Sequence, residues 1–114
     1  MDFQSLHLSV EGHVALLEFN HGKANEMGSA ELAELEQLVR WLRENRQVTT
    51  LVTSSKKVSG RGTPIFVSGA NVVERNEWSP GQVKTHVRWQ RQVIASLRRV
   101  PVFHVAVVGG VALG

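Results

Sequence analysis

Phe66-Val67-Ser68-Gly69-Ala70-Asn71 decides how this chain is read: a short hydrophobic run that ends in three small residues. Pro64 to Val67 has the β-branched and aromatic character of a buried strand, and Ser68-Gly69-Ala70 marks its exit. Small side chains at such an exit let a ligand approach the main chain. If Val72-Val73-Glu74 opens a helical turn, the amide N–H groups around Ala70 stand at its start, unpaired and aimed outward, where negative charge is favoured. A carbonyl oxygen that becomes an oxyanion needs donors of this kind. An ordinary strand-to-helix turn with no ligand accounts for the same six residues, because glycine turns punctuate most α/β chains.

Upstream of this stretch, Leu6, Leu8 and Val10 alternate with polar residues, Glu11-Gly12 can turn, and Val14 to Phe19 follows, which predicts a β-hairpin. Asn20-His21-Gly22-Lys23-Ala24-Asn25 is then a polar loop of turn formers. Ser29 is the expected N-cap of a helix to about Asn45, with Leu32, Leu35, Leu38, Val39 and Leu42 on one face. Thr50 to Thr53 is the next strand, and a basic loop with Lys56, Lys57, Gly60, Arg61 and Gly62 leads back to Phe66. Downstream, Ser79-Pro80 starts a second long helix with Val83, Val87, Ile94 and Leu97 on one face, ending at Arg98-Arg99. Strands alternating with amphipathic helices define an α/β layered fold, and no linker, repeat or low-complexity segment marks an internal boundary.

The last fifteen residues stand apart. From Val100 to Gly114 no side chain is charged and His104 is the only strongly polar one, so Val102 to Val108 is expected to be a strand buried on both faces. A membrane span needs about 20 apolar residues, and this stretch is shorter and contains Pro101, Gly109 and Gly110. Termini usually lie at the surface and are polar, so the expectation is that the 114 residues are the first part of a longer protein or one product of a cut.

Composition narrows the chemistry. An apolar share of 42% with 20% charged residues is that of a globular chain. The absence of cysteine excludes disulfides, thiolate catalysis and sulfur-ligated metals. Met1-Asp2-Phe3-Gln4 shows no secretory pattern, which makes a cytoplasmic setting the expectation, and the net charge of +3 suits an anionic ligand. His7, His13, His21, His86 and His104 have no metal-ligand spacing. His104 could face a pocket or sit hydrogen-bonded in the core, and Glu74 and Glu77 could line a pocket or form a solvated helix face. Gly60-Arg61-Gly62 lacks the lysine and hydroxyl of a phosphate loop.

Three segments in order, Asn20-His21-Gly22-Lys23-Ala24-Asn25-Glu26-Met27, Phe66-Val67-Ser68-Gly69-Ala70-Asn71 and Val108-Gly109-Gly110-Val111-Ala112-Leu113-Gly114, resemble the enoyl-CoA hydratase/isomerase family, the crotonases. The resemblance covers nearly the whole chain and about the first half of a typical member. It implies a crotonase-like spiral of ββα units, present as its N-terminal half, with residues 1–114 forming the N-terminal part of the core domain.

The resemblance also implies a site. Lys23, Ala24 and Asn25 match the loop that holds the adenosine end of coenzyme A, with Lys23 and Ala24 as its expected binding residues. Ser68 and Gly69 match the segment that lines the pantetheine path, and Ala70 matches the residue whose backbone N–H is one of two oxyanion-hole donors. The second donor comes from the glycine run that starts at Gly114, and the acids of the hydratases lie further on. The implied chemistry is enolate stabilisation of an acyl-CoA thioester in fatty acid metabolism, without a prosthetic group or metal. Acyl-CoA, the remaining C-terminal segment and a homo-trimer or hexamer are the implied partners, with no membrane. The 114 residues alone are expected to be inactive. Asn71 stands where the family usually has Asp, and Gly109 where it often has Asn. Two other readings are a non-catalytic crotonase-fold interaction fragment and a basic nucleic-acid-binding domain built on Arg88, Trp89, Arg91, Arg98 and Arg99.

Overall fold

A computed structural model describes residues 3–113; Met1 and Asp2 of the N-terminal tetrapeptide and Gly114, the first residue of the expected second-donor run, lie outside the described residues. In chain order the elements are β1 (Leu6–Glu11), β2 (Val14–Phe19), β3 (Glu26–Met27), α1 (Ser29–Glu44), β4 (Thr50–Ser55) and β5 (Ile65–Val67). They continue with β6 (Gly69–Ala70), α2 (Val72–Arg75), α3 (Pro80–Arg99), β7 (Phe103–Ala106) and β8 (Val111–Ala112).

The main sheet has the order β1-β2-β4-β7. β1 and β2 form the antiparallel hairpin, with Leu6 opposite Phe19, and β4 and β7 then add in parallel. Parallel neighbours require a crossover, and α1 supplies it between β2 and β4. Two further parallel pairs, β3 with β6 and β5 with β8, make a second layer of short strands. This is the expected mixed α/β architecture.

Patterning explains the core. Ala15, Leu17 and Phe19 alternate inward along β2, and Leu32, Leu35, Leu38, Val39 and Leu42 bury the one face that the spacing on α1 predicts. Leu6, Val48, Leu51, Val93 and Val100 complete the cluster.

Three local expectations change. The N-cap of α1 is Gly28, one residue earlier than Ser29. The Gly28 N–H donates to the Glu31 carboxylate at 2.8 Å, and the Ser29 N–H donates to the Glu74 carboxylate at 3.0 Å. A charged acceptor delivered from α2 outcompetes a local hydroxyl, because the first-turn amides and the helix dipole both favour an anion. On α3 the start is as expected, with the Ser79 hydroxyl accepting from Gln82 N–H and the Gln82 side chain accepting from Ser79 N–H. Its buried residues, however, are His86 and Val93, while Ile94 is exposed. The helix packs His86, Trp89 and Val93 on one flank and leaves Val87, Ile94 and Leu97 along a cavity, so its apolar residues serve two surfaces.

The third correction concerns the last long strand. Val102 to Val108 was expected to be buried on both faces, yet only Phe103–Ala106 is strand and all four residues are exposed, Phe103 at 76%. β7 is the outermost strand and pairs only with β4. The described residues provide no layer over it.

Replacing Leu38, fully buried between α1 and the sheet, with Ala should lower unfolding stability by about 3 kcal/mol, read as a shift in the urea midpoint at constant slope.

Candidate functional site

Asn25 organises the site. It takes a positive φ of 54°, a left-handed conformation that Asn tolerates better than most residues, and it is fully buried. Its Oδ1 accepts from the His21 N–H at 3.0 Å, and its Nδ2 donates to the Ser55 hydroxyl at 2.8 Å and the Phe66 carbonyl at 2.9 Å. One amide thereby ties the loop after the hairpin to the end of β4 and to β5. The chain leaves Asn25 directly into β3, which lies parallel to β6 with Glu26 beside Gly69 and Met27 beside Ala70. In the sequence Asn25 reads as a turn former within the loop that the resemblance matches to the adenosine end of coenzyme A, with no structural role of its own. The available signal was an Asn closing a run of turn residues, where a left-handed conformation is needed.

Behind this second layer lies a cavity of about 640 Å³. Leu17 and Phe19 of β2, Met27, Phe66 and Val67 form an apolar wall, and Val87, Ile94 and Leu97 of α3 form another. Gly69 and Ala70 stand on the rim between them. Gly69 has φ +110°, a value that side chains rarely adopt, so glycine is required to turn β5 into β6. Ala70 is exposed. β6 has a single partner, and in a parallel ladder only every second amide of a strand faces a given neighbour. Outside that ladder the Ala70 N–H makes no hydrogen bond among the described residues.

α2 begins at once, capped by Asn71, whose Oδ1 accepts from the Glu74 N–H at 3.1 Å. Asn and Asp cap about equally well, so the residue at this position keeps the turn in place without the charge. Glu74 is neither a solvated face nor a pocket wall: its carboxylate is the cap of α1. Glu77 is exposed.

Of the five expected binding residues, Gly69 and Ala70 line the cavity. Lys23 is exposed on the clamped loop, the Ala24 N–H donates to the Glu26 carboxylate, and Ser68 is half-buried between β5 and β6. None of these three is among the residues that line the cavity. The third motif also closes on the same place. A Cβ on Gly110 would lie 2.0 Å from the Pro64 carbonyl oxygen, so only glycine allows this approach, and Val111 then donates its N–H to Pro64 at 3.1 Å. Leu113 follows, donating to the Val67 carbonyl and lining the cavity.

The histidines divide. His104 lies on the cavity wall, exposed, with Nε2 donating to the Val100 carbonyl at 3.2 Å. His86 is buried between Trp78 and Trp89, at ring separations of 4.9 and 5.9 Å, and its Nε2 has no partner. Burial pushes the His86 pKa below its ordinary value, the Arg75 guanidinium adds to this, and Glu74 partly offsets it. Trp89 donates its indole N–H to Glu36 on α1 at 3.0 Å, which turns it away from any role as a stacking platform for bases. Among the described residues no three His or acidic side chains are grouped to hold a metal ion.

The layered strands, the glycine turn at the cavity, the Asn71 cap of α2 and the Glu74 cap of α1 accompany a crotonase-type α/β fold. The Bacillus anthracis enoyl-CoA hydratase has a TM-score of 0.86 over 97% of this chain and 42% of its own, at 24% identity. Pseudomonas aeruginosa DspI gives 0.87 over 100% and 42%, also at 24%. In sequence, the chain is 31% identical over 104 residues to the mitochondrial enoyl-CoA hydratase domain-containing protein 2 of Mus musculus, and 30% identical to that of Homo sapiens. Sequence and fold together match the chain to the N-terminal portion of the enoyl-CoA hydratase/isomerase (crotonase) family. No family model matches it. The chain spans about a third of the length of these curated relatives, covering 33% and 34% of them. No helix among the described residues is long and apolar enough to cross a membrane.

Two outcomes follow from the geometry. Asn25→Ala should cost about 2–3 kcal/mol in urea unfolding, since it leaves the His21 amide, the Ser55 hydroxyl and the Phe66 carbonyl without this partner. His86 binds its proton less readily folded than unfolded, so stability should fall as pH drops below about 6.5 towards the folded value. Melting temperatures at pH 7.5 and 5.5 should therefore differ more for the parent than for His86→Phe.

Proposed function

We propose that this chain builds one side of an acyl-CoA thioester site, with the Ala70 N–H as one of two donors to the thioester oxygen. The observation that carries this reading is the placement of Gly69-Ala70 on the rim of an apolar cavity, directly ahead of a capped helical turn, within a crotonase fold. The cavity accommodates the acyl chain. Lys23 and Ala24, on the loop clamped by Asn25, meet the adenosine end, where the lysine attracts phosphate. Ser68 and Gly69 border the pantetheine path.

The chemistry is stabilisation of a thioester enolate. As the oxygen gains charge, a fixed N–H beside low-dielectric walls binds it more strongly than it binds the neutral carbonyl, and that difference lowers the barrier. The second donor and the groups that move protons come from polypeptide that the relatives carry beyond the matched third of their length. They decide among hydration, isomerisation and related outcomes. Residues 1–114 act as the N-terminal part of that catalytic domain, in an assembly of several copies, and do not turn over substrate by themselves.

Ala70→Pro removes the donor. In the protein that carries this chain, kcat/KM for crotonyl-CoA should fall by about 10²–10³ with coenzyme A affinity nearly unchanged. Ala70→Gly keeps the N–H and should stay within a few-fold of the parent. Equal activity of the proline variant would refute the assignment.

A further inference from the structure

The cavity wall is mostly apolar, with Thr53 and His104 on its sheet side, and an arginine stands at the corner where α2 ends. Arg75, the last residue of α2, enters the lining next to Gln90 of α3, whose Oε1 accepts from an Arg75 Nη2–H at 3.4 Å. The Arg75 Nε is buried and has no hydrogen-bond partner. The ion pairs among the described residues join His21 to Glu31, Arg40 to Glu36 and Lys56 to Glu18, and Arg75 takes part in none of them. The carboxylate nearest in sequence, Glu74, is committed to the Ser29 amide. A half-buried guanidinium with no counter-charge is costly in an apolar cavity, and a buried donor left unmade adds to that cost. Such a group is stabilised by a ligand that brings the anion with it.

We propose that Arg75 selects acyl groups that carry a carboxylate at the end remote from the thioester. The inference rests on the reading of the cavity as an acyl site. Ala70 stands just ahead of the Asn71 cap and Arg75 is the last residue of α2, so the two lie at opposite ends of one short turn, whose four residues span about 4.5 Å along the helix axis. One side of the turn then receives the thioester oxygen and the other the distal carboxylate, with a short aliphatic chain against Met27, Phe66 and Val67 between them. A guanidinium fork suits a carboxylate through two parallel N–H bonds, which a methyl terminus cannot use. Gln90 holds the fork in place.

The test compares glutaryl-CoA with valeryl-CoA, equal in carbon count, by calorimetric titration of the protein that carries this chain. Glutaryl-CoA should bind about 10- to 100-fold more tightly, in line with charge-assisted hydrogen bonds. Arg75→Met should abolish that preference while leaving valeryl-CoA binding as tight or tighter, and Arg75→Lys should restore part of it. Equal binding of the two thioesters by the parent, or a preference that survives Arg75→Met, overturns the selectivity and leaves the acyl site standing. Failure of both thioesters to bind overturns the site and the selectivity together.

Discussion

The arrangement depends on one buried amide. Asn25 reaches the loop after the hairpin, the end of β4 and the backbone of β5 through a single side chain, and a left-handed backbone at the same residue aims the chain into β3. Short strands have little stability of their own: β3 and β6 contribute two residues each. Their pairing is held from outside, by the clamp at one end and by α1 at the other. Since β6 carries the glycine turn and Ala70, the position of the candidate donor is set by contacts made forty residues earlier in the chain.

A second coupling runs through Glu74. Its backbone N–H is capped by Asn71 and its carboxylate caps α1, so one residue fixes both the start of α2 and the start of the main crossover helix. The carboxylate also closes the N-terminus of α1 against other anions, with Glu31 on the neighbouring amide. The positive end of α1 is thus used internally. Preorganisation of this kind places the cost of ordering in folding, before any substrate arrives.

How much of this was legible from sequence follows from the range of the forces involved. The hairpin, the Leu32–Leu42 stripe of α1 and the Ser79-Pro80 start of α3 are local, since each is encoded by periodicity or by a cap within four residues, and each appears where the pattern places it. Gly69 was legible as a turn because its backbone requirement is its own. The contacts that failed to announce themselves are long-range. The Glu74 cap on Ser29, the three-way role of Asn25 and the entry of Arg75 into the cavity depend on which elements the fold brings together, and nothing in the spacing of those residues reports it. The motif resemblance supplied Ala70 and Gly69, which line the cavity, and it also supplied Lys23, Ala24 and Ser68, which do not.

The disagreement at β7 has a physical lesson of its own. An uncharged run from Val102 to Val108 encodes burial, yet Phe103, Val105, Val107 and Val108 are exposed, and each such side chain forgoes about 1–3 kcal/mol that full burial would contribute. Hydrophobic pattern reports the environment a segment is built for, while exposure reports what surrounds it among the described residues. The two diverge along this edge of the sheet. It is the same edge on which His104, Val105 and Ala106 form part of the cavity wall. A surface laid over β7 would therefore also narrow the cavity mouth, exclude water from it and strengthen every dipole that faces inward, the rim amides included. Covering the apolar edge and completing the electrostatics of the site are one event in this fold, because a single strand belongs to both.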